Sequence, residues 1–296
     1  QPLYKGLEWS RNLMTIRLAN EVGMGRIVEI AQDFGIDDSL PPYLSISLGT
    51  AETTLMDLTS AYGMLVNGGK QIEPTLIDRV QDRYGRTLFR HERRNCAGCN
   101  DAEDWDRTSM PVVFEHGEQV TSELAAYHVV SMLRGVVERG TAARRVGLVV
   151  DRPVGGKTGT TQESKDAWFI GFSPDLVVGV YVGFDQPRSL GAKESGGKSA
   201  SPIFAAFING ALADTPVTQF RYPVGVPISN IDPRTGVIDV RMVADDGRVI
   251  GEGEESREAV SGSRGSRQSG GSASENSTTS GSRSGSNAVS EADAIF

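Results

Sequence analysis

Two short stretches carry the side chains best suited to chemistry. One is Pro153-Val154-Gly155-Gly156-Lys157-Thr158-Gly159-Thr160-Thr161, and the other is Ser10-Arg11-Asn12. A Gly-Gly-Lys-Thr run invites comparison with a phosphate-cradling loop, which needs G-x-x-x-x-G-K-[ST] opening a helix. The first glycine of that pattern would fall at Asp151, whose carboxylate repels phosphate. The run also leads through Gln162-Glu163-Ser164-Lys165 into strand-like sequence rather than into a helix. The phosphate reading is therefore set aside.

The other reading makes the run an edge strand. Lys157 points one way, and Thr158 and Thr160 offer hydroxyls beside it. An ammonium with flanking hydroxyls is a carboxylate receptor, because hydrogen bonds to charged groups are the strong ones. Gly155, Gly156 and Gly159 let a ligand approach the backbone closely. Free N–H groups on such a strand can donate to a substrate carbonyl as an oxyanion hole does. Ser10 and Asn12, two residues apart, can project into one cleft from a turn between helices. The hydroxyl can relay a proton and the amide can hold a carbonyl. Taken singly, a K-T-G triplet recurs by chance, and an S-x-N triplet is ordinary helix-cap sequence.

The elements that must position these groups follow from periodicity. Residues 7–36 read as two helices: Leu13, Met14, Ile16 and Leu18 recur at helical spacing, then Ile27, Ile30, Ala31 and Phe34, with Gly23 and Gly25 between. Residues 53–69 read as a further helix with Leu55, Leu58, Tyr62 and Leu65 on one side, stopped by Asn67-Gly68-Gly69. Strand-like pieces and a turn at Tyr84-Gly85 precede a polar insertion over 91–109. The clearest helix starts at Thr121 as N-cap, has Glu123 in its first turn and ends at Gly140. The pattern then turns to short β-rich runs. "DAWFIGF" and "LVVGVYVGFD" are joined by Ser173-Pro174-Asp175 and are expected to pair as a hairpin. "SPIFAAFINGALAD" returns to helix, with Ile203, Phe204, Phe207 and Leu212 apolar. Helices, a β-meander and a closing helix predict an α+β fold, an antiparallel β-sheet flanked by helices. Trp168 and Phe169 are read as core or sheet-face aromatics, and Asp166 as a brace or cap after the lysine strand.

In that order, S-x-N and then K-T-G-T-T are two of the three motifs of serine-active penicillin-recognising enzymes. The surrounding text is more specific. "SLGTAETTLMDLTSAYGMLVNGG", "MLRGVVERGTAARR" and "GGKTGTTQESKDAWFIGFSPDLVVGVYVGFD" resemble the transpeptidase domain of a bifunctional, class A penicillin-binding protein. The resemblance covers about residues 3–235. It implies the penicillin-binding protein and serine β-lactamase-like fold, incomplete at its N-terminus. The implied activity is DD-transpeptidation: a serine of an S-x-x-K motif attacks the D-Ala-D-Ala bond of a peptidoglycan stem peptide, and the acyl group passes to a neighbouring amine. Peptidoglycan stem peptides and β-lactam antibiotics are the implied partners, with other cell-wall synthesis proteins admitted, and no cofactor or metal. Lys157 would anchor the donor carboxylate together with Thr158, Gly159, Thr160 and Thr161. The Thr160 N–H would give half the oxyanion hole, Ser10 would relay the proton and Asn12 would bind the donor amide.

The nucleophile motif is missing. No serine precedes Ser10, and the sole S-x-x-K is Ser195-Gly196-Gly197-Lys198, which follows K-T-G and is read as a loop. The reading is of the C-terminal part of a longer protein, expected not to acylate in isolation and to leave apolar helix faces uncovered. A glycosyltransferase domain and a membrane anchor would lie upstream, placing the parent at the periplasmic face of the bacterial inner membrane. DD-carboxypeptidase or β-lactamase-like hydrolysis, or a non-catalytic carboxylate- and peptide-binding module, are the alternatives. Arg11 stands where β-lactamases prefer Asp.

Bulk properties narrow the rest. The chain has 296 residues and a net charge of -8 without a long basic run, which argues against a nucleic-acid partner. No apolar run reaches the roughly 18 residues of a membrane helix, and no signal peptide is visible. Cys96 and Cys99 lack the second pair a zinc site needs and are read as a local loop pair. His91, His116 and His128 show no triad pattern. The domains are read as 1–213 partial transpeptidase, 214–250 a short β-rich extension, and 251–296 a disordered tail too poor in apolar residues to fold.

Overall fold

The computed structural model describes residues 2–91, 95–97, 112–114, 117–223, 228–231, 238–243 and 249–251. All of these belong to one compact unit ending at Gly251. Cys99, His116 and the tail expected over 251–296, apart from Gly251 itself, lie outside the described residues.

Three helices open the chain: α1 (Leu3–Glu8), α2 (Asn12–Val22) and α3 (Met24–Asp33). The two helices expected over 7–36 are α2 and α3, divided at Gly23, and α1 precedes them across a break at Trp9-Ser10-Arg11. Helix α4 (Leu55–Val66) starts where the Thr54 hydroxyl accepts from the Asp57 N–H, and it runs into the expected Asn67-Gly68-Gly69 stop. The Tyr84-Gly85 turn joins β1 (Arg79–Gln81) to β2 (Thr87–Arg90) as an antiparallel hairpin. Strands β3 (Asn95–Ala97) and β4 (Val112–Phe114) pair across the polar insertion. Helix α5 (Glu123–Glu138) is capped by Ser122, whose hydroxyl accepts from the Ala125 N–H at 3.2 Å. Ser122, not Thr121, is therefore the cap: both residue types can cap, and only the hydroxyl three residues ahead of Ala125 reaches its N–H.

The central sheet has the order β5-β6-β7, with β5 (Gly155–Thr160), β6 (Ala167–Phe172) and β7 (Val177–Val182) all antiparallel. Ser173 forms the expected tight turn, its hydroxyl accepting from the N–H groups of Asp175 and Leu176. The lysine-bearing run is an edge strand, as its glycines and threonines predict. Helix α6 (Ser201–Ala211) follows. Strands β8 (Ile228–Ile231), β9 (Ile238–Val243) and β10 (Val249–Gly251) form a separate antiparallel sheet in the order β10-β9-β8.

Helices cover both faces of the central sheet. Phe172 packs against Tyr62 of α4 on one face, and Phe169 packs against Phe204 of α6 on the other. Around them lie Val130, Leu133, Val136 and Val137 of α5 and Ile208 of α6, all buried. Burying each such side chain is worth about 1.5–3 kcal/mol, which makes this layer the main source of stability. The opening helices contribute little to it. Ala19 is the buried residue of α2, α3 has none, and Leu13 is 73% exposed. Ile203 and Phe207 of α6, expected on an apolar face, are half exposed beside Leu55, Val178 and Tyr181, along the side of β7 away from β6.

Candidate active site

Strand β5 and the α1–α2 turn form two facing walls. Helix α1 ends at Glu8 in a left-handed turn: the Arg11 N–H donates to the Gly6 carbonyl at 2.8 Å and the Ser10 N–H to the Leu7 carbonyl at 3.3 Å. This bond pair defines a Schellman stop, whose left-handed residue is usually glycine. Here it is Ser10, at φ 49°. The conformation costs a non-glycine residue about 1–2 kcal/mol. It turns the chain directly into α2, so that Ser10 sits at the bend and Asn12 at the first helical position.

Lys157 comes from the opposite wall. Its ammonium donates to the Ser10 hydroxyl, 147 residues away in sequence, and to the Thr158 carbonyl at 3.0 Å. Among the described residues no carboxylate lies within ion-pair distance of it. Burial without a counter-ion pushes its pKa down from the ordinary 10.5 to about 8. The ammonium is still the main form at neutral pH.

Strand pleating puts Thr158 and Thr160 on the face opposite Lys157. The Thr158 hydroxyl meets that of Thr141 at 3.1 Å. The Thr160 hydroxyl accepts from the Gly196 N–H at 3.0 Å, which leaves its own proton free for an acceptor. Gly196 can approach this closely only without a side chain, since a Cβ would overlap the carbonyls of Gly159 and Trp168. The Thr161 hydroxyl accepts from the Asp166 N–H at 2.9 Å, and the Asp166 carboxylate accepts from the Tyr181 hydroxyl at 3.3 Å. Asp166 therefore braces the β5–β6 turn. Asn12 is exposed, and among the described residues its amide makes no hydrogen bond.

Ser195 stands in extended backbone outside any helix, in line with the loop reading, but the glycines after it do form a turn. It heads a single π-helical turn, Gly196–Ala200, with its carbonyl accepting from the N–H groups of Lys198 and Ser199. The two glycines do not prevent the turn because it runs straight into α6, whose packing holds it. Ser195 and Lys198 make no side-chain bond to each other among the described residues. The Nε2 atom of His91 pairs with the Glu73 carbonyl at 3.1 Å, and the ring of His128 packs beside Tyr127. Among the described residues no cluster of His, Cys, Asp or Glu could hold a metal.

Comparison across families matches residues 1–209 to the penicillin binding protein transpeptidase domain. The chain belongs to the penicillin-binding protein transpeptidase family. It is 44% identical over 236 residues to penicillin-binding protein 1A of Rickettsia bellii, covering 79% of this chain and 29% of that protein. With penicillin-binding protein 1A of Pseudomonas aeruginosa it shares 34% identity over 267 residues, 79% of this chain and 32% of that one. The chain thus spans about a third of the length of these relatives. Among solved structures, penicillin-binding protein 1A from Haemophilus influenzae superposes with a TM-score of 0.65 at 31% identity, over 83% of this chain and 39% of that one. PonA1 from Mycobacterium tuberculosis, in complex with penicillin V, superposes at 0.58 with 26% identity, over 75% of this chain and 59% of that one. The family shares the α+β architecture described above.

Sequence reasoning paired Ser10 with Lys157 but missed Thr141 and Gly196, which hold the threonine hydroxyls. Thr141 lies in the quoted "ERGTAARR" segment, yet nothing in a Gly-Thr pair announces a partner on another strand.

Proposed function

We propose that this chain supplies two walls of a DD-transpeptidase that cross-links peptidoglycan stem peptides by serine acyl transfer. The hydrogen bond from Lys157 to Ser10 carries the reading. It joins the K-T-G strand to the S-x-N turn across a cleft, and it leaves the Ser10 proton free to be donated outward.

In the proposed reaction a serine hydroxyl gives its proton to the lysine of its own S-x-x-K motif, outside the given sequence, and attacks the carbonyl of the penultimate D-Ala. The peptide C–N bond breaks, and the leaving amine takes its proton from Ser10. Ser10 regains one from the Lys157 ammonium, which already donates to its hydroxyl. An acceptor amine then attacks the ester and loses its proton back through Ser10 to Lys157, while the departing serine oxygen recovers its proton from the S-x-x-K lysine. Lys157 brings its positive charge from one face of the strand and Thr158 and Thr160 bring hydroxyls from the other, so a terminal carboxylate lying along the edge of β5 by Gly159 and Thr161 is recognised by both. The Thr160 N–H holds the developing oxyanion, and the exposed Asn12 amide takes the donor amide. The nucleophile is assigned to a segment outside the given sequence, because Ser195 has extended backbone ahead of the π turn and its side chain makes no bond to Lys198 among the described residues. β-Lactams, which carry a carboxylate beside a strained amide, fit the same groups, as the penicillin V complex of PonA1 suggests by analogy.

We place the parent protein at the periplasmic face of the inner membrane, held by a segment outside this chain. Among the described residues no helix is long and apolar enough to cross a membrane. The division into a transpeptidase part over 1–213, an extension over 214–250 and a tail over 251–296 is retained as part of this proposal.

The test is labelling of the full-length protein by a fluorescent penicillin. Wild type is expected to label, and Lys157→Ala is expected to lose labelling while keeping its circular dichroism spectrum. Normal labelling of the variant would remove Lys157 from the site.

A further inference from the structure

Glu8 is the last residue of α1 and is 1% exposed. A carboxylate buried to that extent is costly unless it is paired. Its partner is Arg139, just past the end of α5 and 131 residues away. The guanidinium grips it with two bonds, Nε to Oε2 at 3.2 Å and Nη2 to Oε1 at 2.5 Å. Arg139 also lies over the Tyr4 ring, 5.7 Å from its centroid, so it touches α1 at two points. The seat is shaped for Glu8. A Cβ on Gly135 would overlap its Oε1, and one on Gly140 would overlap its carbonyl oxygen. That carbonyl accepts from the Thr141 N–H at 3.2 Å. Both the side chain and the backbone of Glu8 are therefore docked on the C-terminal end of α5.

The same helix end registers the other wall. The Arg134 backbone nitrogen lies 3.2 Å from where a Cβ on Gly155 would stand, at the start of β5, and Thr141 bonds Thr158 through its hydroxyl. One platform thus holds both the strand that carries Lys157 and the helix that ends two residues before Ser10. The turn between Glu8 and Ser10 has little freedom, because its two backbone bonds run back to Gly6 and Leu7.

We propose that the Glu8–Arg139 ion pair is a positioning device for the transpeptidase reaction, setting where the Ser10 hydroxyl lies against the Lys157 ammonium. The proposal rests on the transpeptidase reading above. Neither side chain bonds Ser10 or Lys157 directly, so both act through the position of Ser10. The fork geometry matters as well as the charge, since a planar guanidinium fixes a carboxylate in two directions and an ammonium does not.

The experiment measures acylation of the full-length protein by a fluorescent penicillin, resolved into the affinity of the initial complex and the limiting acylation rate. Arg139→Ala is expected to lower the limiting rate on the order of tenfold to a hundredfold, the effect of displacing a reacting group by about 1 Å. Initial affinity is expected to change little, because Lys157 and the threonines are untouched. Arg139 is half exposed, so millimolar guanidinium can enter the vacated site and is expected to restore rate in the variant without raising its melting temperature. If Arg139→Ala does not fold, Arg139→Lys carries the test, with an expected rate loss on the order of several-fold. A wild-type limiting rate in the folded variant overturns the proposal. So does a loss that tracks melting temperature and that guanidinium leaves unchanged. An unlabelled wild-type protein overturns the transpeptidase reading itself, and this proposal with it.

Discussion

Replacing Lys157 by Met is expected to make the isolated chain more stable at pH 7, not less. The lysine is held with its pKa at about 8, against an ordinary 10.5, because burial penalises the ammonium. At about 1.4 kcal/mol per pH unit, that gap corresponds to about 3 kcal/mol of cost in the folded state. Part of the side chain still meets solvent, so the realised cost is nearer 2 kcal/mol by the same conversion. Met removes the charge and keeps the length. It also removes the bonds to Ser10 and to the Thr158 carbonyl, an offset of about 1 kcal/mol, since the exposed Ser10 hydroxyl regains water. The net expectation is a gain of about 1 kcal/mol, or about 2–4 °C in melting temperature for a domain of this size.

The pH dependence separates this cause from general repacking. A lysine whose folded pKa lies below its unfolded value binds fewer protons when folded, so stability rises with pH between the two values. The cost is fully present below about 8 and is gone above about 10.5. The advantage of Lys157→Met is therefore expected to be largest at pH 7, to shrink as pH rises past about 8 and to reverse near pH 10.5, where only the lost hydrogen bonds count. Thermal melts of both chains from pH 6 to pH 10.5 make the measurement. A variant that melts below wild type at pH 7, or a difference that stays flat across that range, would refute the reasoning.

Two other substitutions probe the scaffold. Ser10→Gly and Ser10→Ala both remove the hydroxyl, but only glycine relieves the left-handed backbone, so urea denaturation should find the glycine variant more stable by about 1 kcal/mol. Phe204→Ala is expected to cost about 3–5 kcal/mol, since the ring is fully buried against Phe169; a loss under about 1 kcal/mol by calorimetry would mean that the α6 layer is not part of the cooperative core.

Short-range signals made much of the fold legible. Alternation and glycine content marked β5 as an edge strand, and Ser173-Pro174-Asp175 marked the β6–β7 turn by its own chemistry. The turn between helices at Ser10 was legible but its type was not: a Schellman stop is recognised by its glycine, and here a serine takes that place. The choice of Ser122 over Thr121 turned on one residue of register, which adjacent capping residues leave open. Glu8, Arg139, Thr141 and Gly196 were beyond reach. Their partners lie between 17 and 131 residues away, and as single residues they are ordinary. What could be read of the site was the part carried by contiguous motifs; what holds those motifs in place is long-range.

Two unfavourable features meet at a single hydrogen bond. Ser10 has a backbone that suits glycine, and Lys157 carries a buried charge with no counter-ion among the described residues. Each costs about 1–2 kcal/mol, against the 5–15 kcal/mol that a typical domain has in total. Neither helps the fold, since glycine at one position and methionine at the other would serve it better. Such a coincidence is expected where chemistry rather than stability chooses the residue. On the transpeptidase proposal, an arriving carboxylate would reverse the larger of the two costs: it would supply the missing counter-ion, raise the lysine pKa and turn the desolvated ammonium into a binding determinant. The cost carried by the buried ammonium would then be part of the proposed selectivity, because a neutral peptide end offers no such return.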